Sequence, residues 1–199
     1  MLPPPRWLIY APYQRNLLLN QRSSAKFTQV AATDITSRDT TNYTVGQKMM
    51  KHEDLFPKLI GLPVSHVWFS DYSVVYFELG ELTPSERTRR DGSPGNPDGE
   101  ITVYAGFDWR IERARSIVCS RNDSQKRRYS VCESVLGSTV VESSVFGRIP
   151  ELNIGFSSGL WLVTFGLSRS DPQWSIGFRQ SGSYLSARRT KLILEPETK

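Results

Sequence analysis

The sequence predicts a mainly β protein of the α+β class, built from two similar antiparallel β units. The units are expected to pack as a sandwich or a barrel-like pseudo-twofold structure with a few short helices. The first observation is a repeat: LIGLPVSHVWF, which begins at Leu59, returns as VLGSTVVESSVF from Val135. An alternating apolar strand follows each copy, and both copies close on Trp-x-Ile, at Trp109 and Trp174. Because a small sheet cannot shield one apolar face alone, two copies are expected to shield each other.

Residues 1–46 differ from the rest of the chain and are expected to form an N-terminal arm or exposed strands. Three consecutive prolines near the start favour an extended polyproline segment. The stretch that follows is rich in Ser and Thr and has only scattered apolar residues. This composition is more typical of an arm than of a core.

The first β unit is expected to span residues 47–111, with a loop insertion at 80–100, and the second to span residues 125–199. Residues 112–124 would connect the two units within one compact domain. The insertion is rich in glycine, proline and charged residues, which indicates a flexible surface loop.

Each unit opens on a short helical segment that ends at a glycine, Gly61 in the first and Gly137 in the second, as many helices do. Since Pro57 does not fit the interior of a regular helix, a short turn restarting at that proline is expected in the first segment. In the second segment, Asp123 or Ser124 stands where a side chain would cap the start of a helix.

Three strands are expected after each glycine, and the first begins at Val64 or Val140. The second strand alternates, which places one apolar trio on one face of a sheet in each unit: Val75, Phe77 and Leu79, and Leu152, Ile154 and Phe156. The third strand is EITVYAGFDWRIE in one unit and GLWLVTFGL continuing to QWSIGF in the other. Packed sheets are favoured over the alternative, a single long antiparallel sheet with helices on one side.

The formal net charge of +5 and the pI near 9.3 favour an anionic partner. In the basic run from Arg110 to Arg128, the residues Arg113 and Arg115 alternate along an expected strand and would lie on one side of it. The candidate binding residues are Arg113, Arg115, Arg127 and Arg128, followed by the loop arginines Arg87, Arg89 and Arg90.

The sequence lacks an evident catalytic constellation, so a non-enzymatic protein is expected. Of the two histidines, His52 lies in a polar helical segment and His66 on the first strand, where a structural role is favoured. The adjacent acids Glu53 and Asp54 suit the polar side of a helix. No nucleophile elbow, phosphate-binding loop or dinucleotide-binding motif occurs. An enzyme with a carboxylate site hidden from linear motifs stays open as a third class.

The two cysteines, Cys119 and Cys132, match no zinc or redox spacing and are expected to be buried thiols. A disulfide stays open if the fold brings their Cα atoms within about 7 Å. With so few His and Cys residues, no metal or other cofactor is expected. The start of the chain does not resemble a secretory signal, and no apolar run reaches the roughly 18 residues that a membrane span needs, so a cytoplasmic protein is expected.

Two classes of partner fit the arginine-rich run. A protein partner is expected first, because Arg, Trp and Tyr contribute most of the binding energy at protein interfaces. Nucleic acid is the alternative, because arginines interleaved with Trp109 and Tyr129 could contact phosphates and stack on bases.

The repeated phrase, with VVYFEL after the first copy and LNIGFSSGLWLVTF closing on QWSI after the second, resembles a group of small bacterial β-rich proteins. In that group an L-x-G-x-x-V phrase precedes a strand that ends in a glycine hairpin and a terminal tryptophan. The similarity covers roughly residues 58–178. It implies the role of an immunity protein of a toxin system, which binds and neutralises a cognate toxin and has no catalytic activity. Here the N-terminal arm is extra, and the basic balance would suit an acidic surface on the partner.

Overall fold

The computed structural model describes residues 52–70, 73–106, 108–167, 172–188 and 190–196 of the 199-residue chain. The expected arm, residues 1–46, lies outside the described residues. The strands of the described part are β1 (Val64–Ser70), β2 (Val74–Leu79), β3 (Ile101–Ala105), β4 (Trp109–Arg113), β5 (Ser116–Ser120), β6 (Val140–Phe146), β7 (Glu151–Phe156), β8 (Leu160–Thr164), β9 (Trp174–Phe178), β10 (Ser183–Arg188) and β11 (Lys191–Pro196). The helices are α1 (Gln125–Glu133) and three 3₁₀ helices, His52–Asp54, Phe56–Leu59 and Arg179–Ser181.

The described strands form two separate antiparallel sheets. The six-stranded sheet has the order β1-β2-β3-β9-β10-β11, and the five-stranded sheet has the order β5-β4-β8-β7-β6. Their apolar faces share one core, in which the rings of Phe77 and Phe156 lie 5.8 Å apart. The mainly β, sandwich-like prediction is confirmed, and the alternative of a single long sheet is wrong. The two sheets are not closed into a barrel.

The two apolar trios occupy equivalent positions in the two sheets. In each unit, the middle residue of the trio pairs with the fourth residue of the first strand and with the third residue of the third strand. These pairs are Phe77 with Val67 and Val103, and Ile154 with Ser143 and Leu162. The first strand is also irregular at the same place in both units, between Val64 and His66 and between Val140 and Glu142. The repeat in the sequence is therefore a repeat in backbone pairing.

The two units meet about a pseudo-twofold axis. Pro63 and Thr139, which are equivalent residues, pair with each other in an antiparallel bridge, as residues on a twofold axis do. The backbone hydrogen bonds on either side come in matched pairs, Gly61 N to Val140 O at 2.8 Å and Gly137 N to Val64 O at 2.9 Å. The starts of the two units are therefore hydrogen-bonded to each other.

The expected third strands are wrong in one respect, because each of them divides into two strands that join different sheets. β3 pairs with β2, but β4 crosses to pair with β8; likewise β8 pairs with β7, but β9 pairs with β3. Residues 112–124, expected as a connector, contain the end of β4 and all of β5. The closing tryptophans, Trp109 and Trp174, are fully buried after the crossing. Each sheet thus combines three strands of one unit with two or three of the other.

Both units open on helical segments, as expected, but the segments end before their glycines, since α1 ends at Glu133 and the second 3₁₀ helix ends at Leu59. Ser124 caps α1, and its hydroxyl accepts a hydrogen bond from Arg127 N at 3.4 Å. Pro57 is the second residue of the 3₁₀ helix Phe56–Leu59, in the first turn, where its missing N–H breaks no helical hydrogen bond. Gly61 and Gly137 follow with φ of +85° and +77°, a backbone conformation that residues with a Cβ rarely adopt.

The insertion at residues 80–100 is a hydrogen-bonded hairpin. Its arms pair at Thr83 with Asp98 and at Thr88 with Pro94. Arg179, from the turn after β9, donates from Nη1 to Thr83 Oγ1 at 2.6 Å and to Asp98 O at 3.0 Å. The base of the hairpin is therefore tied to the six-stranded sheet.

Candidate interaction surface

The β4–β5 hairpin positions the first two predicted arginines. Arg113 is the last residue of β4, and Arg115 lies in the two-residue turn that follows, where Ala114 has a φ of +51°. Both arginines are exposed. The predicted stripe of alternate arginines along one strand is wrong, because the chain reverses at Ala114 instead of continuing.

Arg127 reaches from α1 to the open edge of β5. Its Nε and Nη2 both donate to Val118 O, at 3.0 and 2.7 Å. Two residues further along the strand, Ser120 N donates to Asp123 Oδ2 at 2.8 Å, and Asp123 lies 3.7 Å from Arg127 Nε. Because an unpaired strand edge invites pairing with other chains, these two side chains protect β5. Arg127 therefore has a structural role as well as an exposed charge.

Arg128 is not part of the surface. Its residue is only 7% exposed, and its Nη1 donates to Arg121 O at 3.0 Å. Arg128 Nε is buried and has no hydrogen-bond partner in the structure. The burial of Arg128 in the junction between α1 and the loop after β5 opposes its predicted role in binding a partner.

The remaining charges of this region are concentrated and partly unpaired. Residues 110–128 contain seven basic and two acidic residues. Their net charge of +5 equals the formal net charge of the whole chain. Arg110 pairs with Glu112, and Arg121 lies 3.4 Å from Asp108. Within the described ranges, the three exposed cations of this region without an ion pair are Arg113, Arg115 and Lys126, while Arg128, which also lacks an ion pair, is buried.

The β4–β5 hairpin also carries an exposed apolar side chain. Ile117, on β5 between the hairpin turn and the Arg127 contact, is 62% exposed. An open cleft of about 410 Å³ lies beside Arg127, lined by Ser124, Lys126, Arg127, Ser130 and Val131. We call the set Arg113, Arg115, Ile117, Lys126 and Arg127 the basic edge.

The hairpin arginines form no comparable surface. Arg87, Arg89 and Arg90 are exposed, and Arg89 donates to Asn96 Oδ1 at 2.7 Å within the hairpin. Residues 80–100 contain five acidic and three basic residues, so the hairpin as a whole is acidic.

Glu78 is a buried carboxylate that sequence reasoning missed. It is 1% exposed, and it accepts hydrogen bonds from Trp68 Nε1 at 2.9 Å, Gly99 N at 2.9 Å and Thr102 Oγ1 at 2.6 Å. Burial raises the pKa of Glu78 above its usual range, although these hydrogen bonds oppose the shift. The signal in the sequence was an acid within the apolar strand VVYFEL.

The surroundings of Glu78 are those of a structural group. His66 lies opposite it on β1, and its Nε2 is buried without a hydrogen-bond partner. The ring of Trp68 stacks on Tyr76 at 3.8 Å. Its donors Trp68, Gly99 and Thr102 lie on β1, at the end of the hairpin and on β3, so this buried carboxylate joins these three elements instead of facing a cleft.

Both cysteines are buried free thiols. Burial raises the pKa of Cys119 to about 11, with nearby Asp123 adding to the shift. Burial also raises the pKa of Cys132, and Cys119 contributes to that rise. Both thiols are therefore protonated near neutral pH, which makes them poor nucleophiles and metal ligands. Among the described residues, no group of three His, Cys, Asp or Glu side chains is placed to hold a metal ion.

The fold and this surface define a two-sheet β protein with a basic edge. Comparison of the chain with protein-family models, with curated proteins and with solved structures gives no match. In the part of the chain that the structure describes, no helix has the length and apolar character needed to cross a membrane.

Proposed function

We propose that the protein is a non-enzymatic binding module that docks through the basic edge onto an acidic surface of another protein. The observation that supports this proposal is that Arg113, Arg115 and Lys126 are exposed without an ion pair among the described residues, on the β4–β5 hairpin and the start of α1, which also carry exposed Ile117 and Arg127. Protein interfaces combine an apolar centre with a polar rim in this way, and arginine is enriched in them.

The pairing of the other cations favours protein over nucleic acid as the partner. Arg110, Arg121 and Arg127 have carboxylates within 4 Å, and Arg128 is buried. Few phosphates could therefore be neutralised, whereas an acidic protein surface with an apolar centre needs only a few cations and Ile117. An immunity factor, the role that the sequence resemblance implies, is the case in which the partner is a toxin.

The test compares two sets of charge reversals in the full chain. The triple variant Arg113→Glu, Arg115→Glu, Lys126→Glu should lose a stoichiometric protein partner that the parent protein captures at physiological salt. The matched control reverses Arg87, Arg89 and Arg90 and should keep it. Circular dichroism and thermal unfolding verify that both variants remain folded.

Two outcomes oppose the proposal. If both variants retain the same partner, the basic edge is not the docking surface. If the parent instead binds a mixed nucleic-acid probe with an affinity that falls steeply with salt, the nucleic-acid alternative replaces the protein-binding one.

A further inference from the structure

The basic edge offers two different kinds of contact side by side. The cleft presents the cations Lys126 and Arg127 with the hydroxyls of Ser124 and Ser130, and the apolar contact is Ile117 on the neighbouring strand. Ile117 directly precedes Val118, whose carbonyl holds Arg127, so the apolar residue and the anchor of the charged contact are consecutive along β5.

Arg127 is held in place while retaining donors for a ligand. Its contacts to Val118 O use Nε and one N–H of Nη2, and its contact to Asp123 is with Nε. The two N–H groups of Nη1 accordingly have no acceptor among the described residues, and the side chain is 55% exposed. A guanidinium fixed in advance loses less conformational entropy when it binds a carboxylate.

Resting on the proposed function, we infer that the partner presents an acidic segment with an apolar residue between its carboxylates. One carboxylate enters the cleft between Lys126 and Arg127, and the apolar residue packs on Ile117. Charge complementarity selects this occupant, because among the described residues Asp123 is the one carboxylate paired with the two cations of the cleft, and it also accepts a hydrogen bond from Ser120 N.

The experiment measures fluorescence anisotropy of labelled five-residue peptides with the full-length protein. The probe is Glu-Asp-Leu-Asp-Glu, compared with the neutral Gln-Asn-Leu-Asn-Gln and with a version in which alanine replaces leucine. The acidic leucine peptide should bind best. Removing the leucine should weaken binding about tenfold, as expected for loss of most of one apolar contact.

Three variants test the charged contact of the cleft and the apolar contact of Ile117 separately. Lys126→Glu should abolish most binding of the acidic probes. Ile117→Ser should weaken the leucine peptide but leave the alanine peptide unchanged, because a double-mutant cycle isolates the contact between the two side chains. Asp123→Asn, which keeps an acceptor for Ser120 N, should tighten binding severalfold by removing the competing carboxylate. Arg89→Glu is the control and should change nothing.

The results separate this inference from the proposed function. Equal binding of the acidic and neutral peptides, or additive effects of Ile117→Ser and the leucine-to-alanine change, overturns the inference. If no peptide binds but the triple reversal of the basic edge still releases the captured partner, the inference falls and the proposed function stands. If a twelve-nucleotide DNA probe binds at Lys126 more tightly than the acidic peptide, both the inference and the proposed function are overturned.

Discussion

At the scale of single residues, the environment of a charge decides its role, and the sequence does not state that environment. Arg128 and Arg127 are neighbours, yet one is buried against Arg121 O and the other protects a strand edge. Both looked like surface charges in the run QKRRY. By contrast, Arg113 and Arg115 are exposed, but as parts of a turn and not of a stripe.

Glu78 leads to a prediction about pH. Its pKa is raised in the folded protein, so the folded state holds that proton more tightly than the unfolded state. The unfolding free energy that this group contributes is therefore fully present below its unfolded pKa of about 4.5 and is lost as pH rises through its folded pKa. The Glu78→Gln variant should lack this decline.

The measurement is urea unfolding of the parent and the Glu78→Gln variant at a series of pH values from 4 to 8. We expect the stability of the parent relative to the variant to fall as pH rises from about 4.5, where ionisation of a buried carboxylate begins to cost free energy. The absolute stability of the variant is a separate matter, because an amide satisfies Trp68 Nε1, Gly99 N and Thr102 Oγ1 less well. A constant difference across this range would contradict the pKa shift.

At the scale of elements, proline, glycine and capping residues predicted those turns and helix starts whose backbone conformation depends on neighbouring residues alone. Pro57 lies in the first turn of its 3₁₀ helix, Ser124 caps α1, and Gly61 and Gly137 follow the two segments with positive φ. The insertion was expected to be a loop, but it is a paired hairpin whose base Arg179 holds. Arg179 lies about 80 residues further along the chain, so no local pattern could reveal that contact.

The hairpin leads to a prediction about deletions. Removing residues 86–96 and joining Ser85 to Pro97 through Asn-Gly should change the unfolding free energy by less than about 1 kcal/mol, because loop length has a weak entropic effect. A longer deletion that also removes Thr83 and Asp98 takes away the contacts of Arg179 and should cost about 1–2 kcal/mol more. Thermal or urea unfolding of the two variants checks this order. Equal loss in both would mean that the tip, not the base, stabilises the hairpin.

At the scale of the whole molecule, the two halves of the chain are interlocked. β4 and β5 complete the sheet of the second unit, while β9, β10 and β11 complete the sheet of the first. Both trios and both buried tryptophans lie in the shared core. Neither unit therefore has a complete sheet of its own.

This interlocking leads to a prediction about fragments. The chain can be divided after Asn122, in the turn between β5 and α1, into residues 1–122 and 123–199. Each fragment alone should lack a cooperative unfolding transition, because its strands lack their sheet neighbours and part of its apolar surface is uncovered. Co-expressed fragments should copurify as a one-to-one complex that unfolds cooperatively. A monomeric, cooperatively folded 1–122 fragment would show that the first half does not need the second.

The sequence by itself determined the mainly β class, the duplication, the apolar trios and the residue that caps the start of α1. Periodicity and helix capping depend on residues only a few positions apart, so they are visible in the sequence. Only the tertiary structure decided which sheet β4 and β9 join, since the buried alternation of Val103 and Ala105 in β3 continues with Trp109 and Ile111 in β4, after the crossing. The tertiary structure also decided which arginines remain exposed and unpaired. The residues that pair with a charge or a strand come from distant parts of the chain, so they cannot be read from the local sequence.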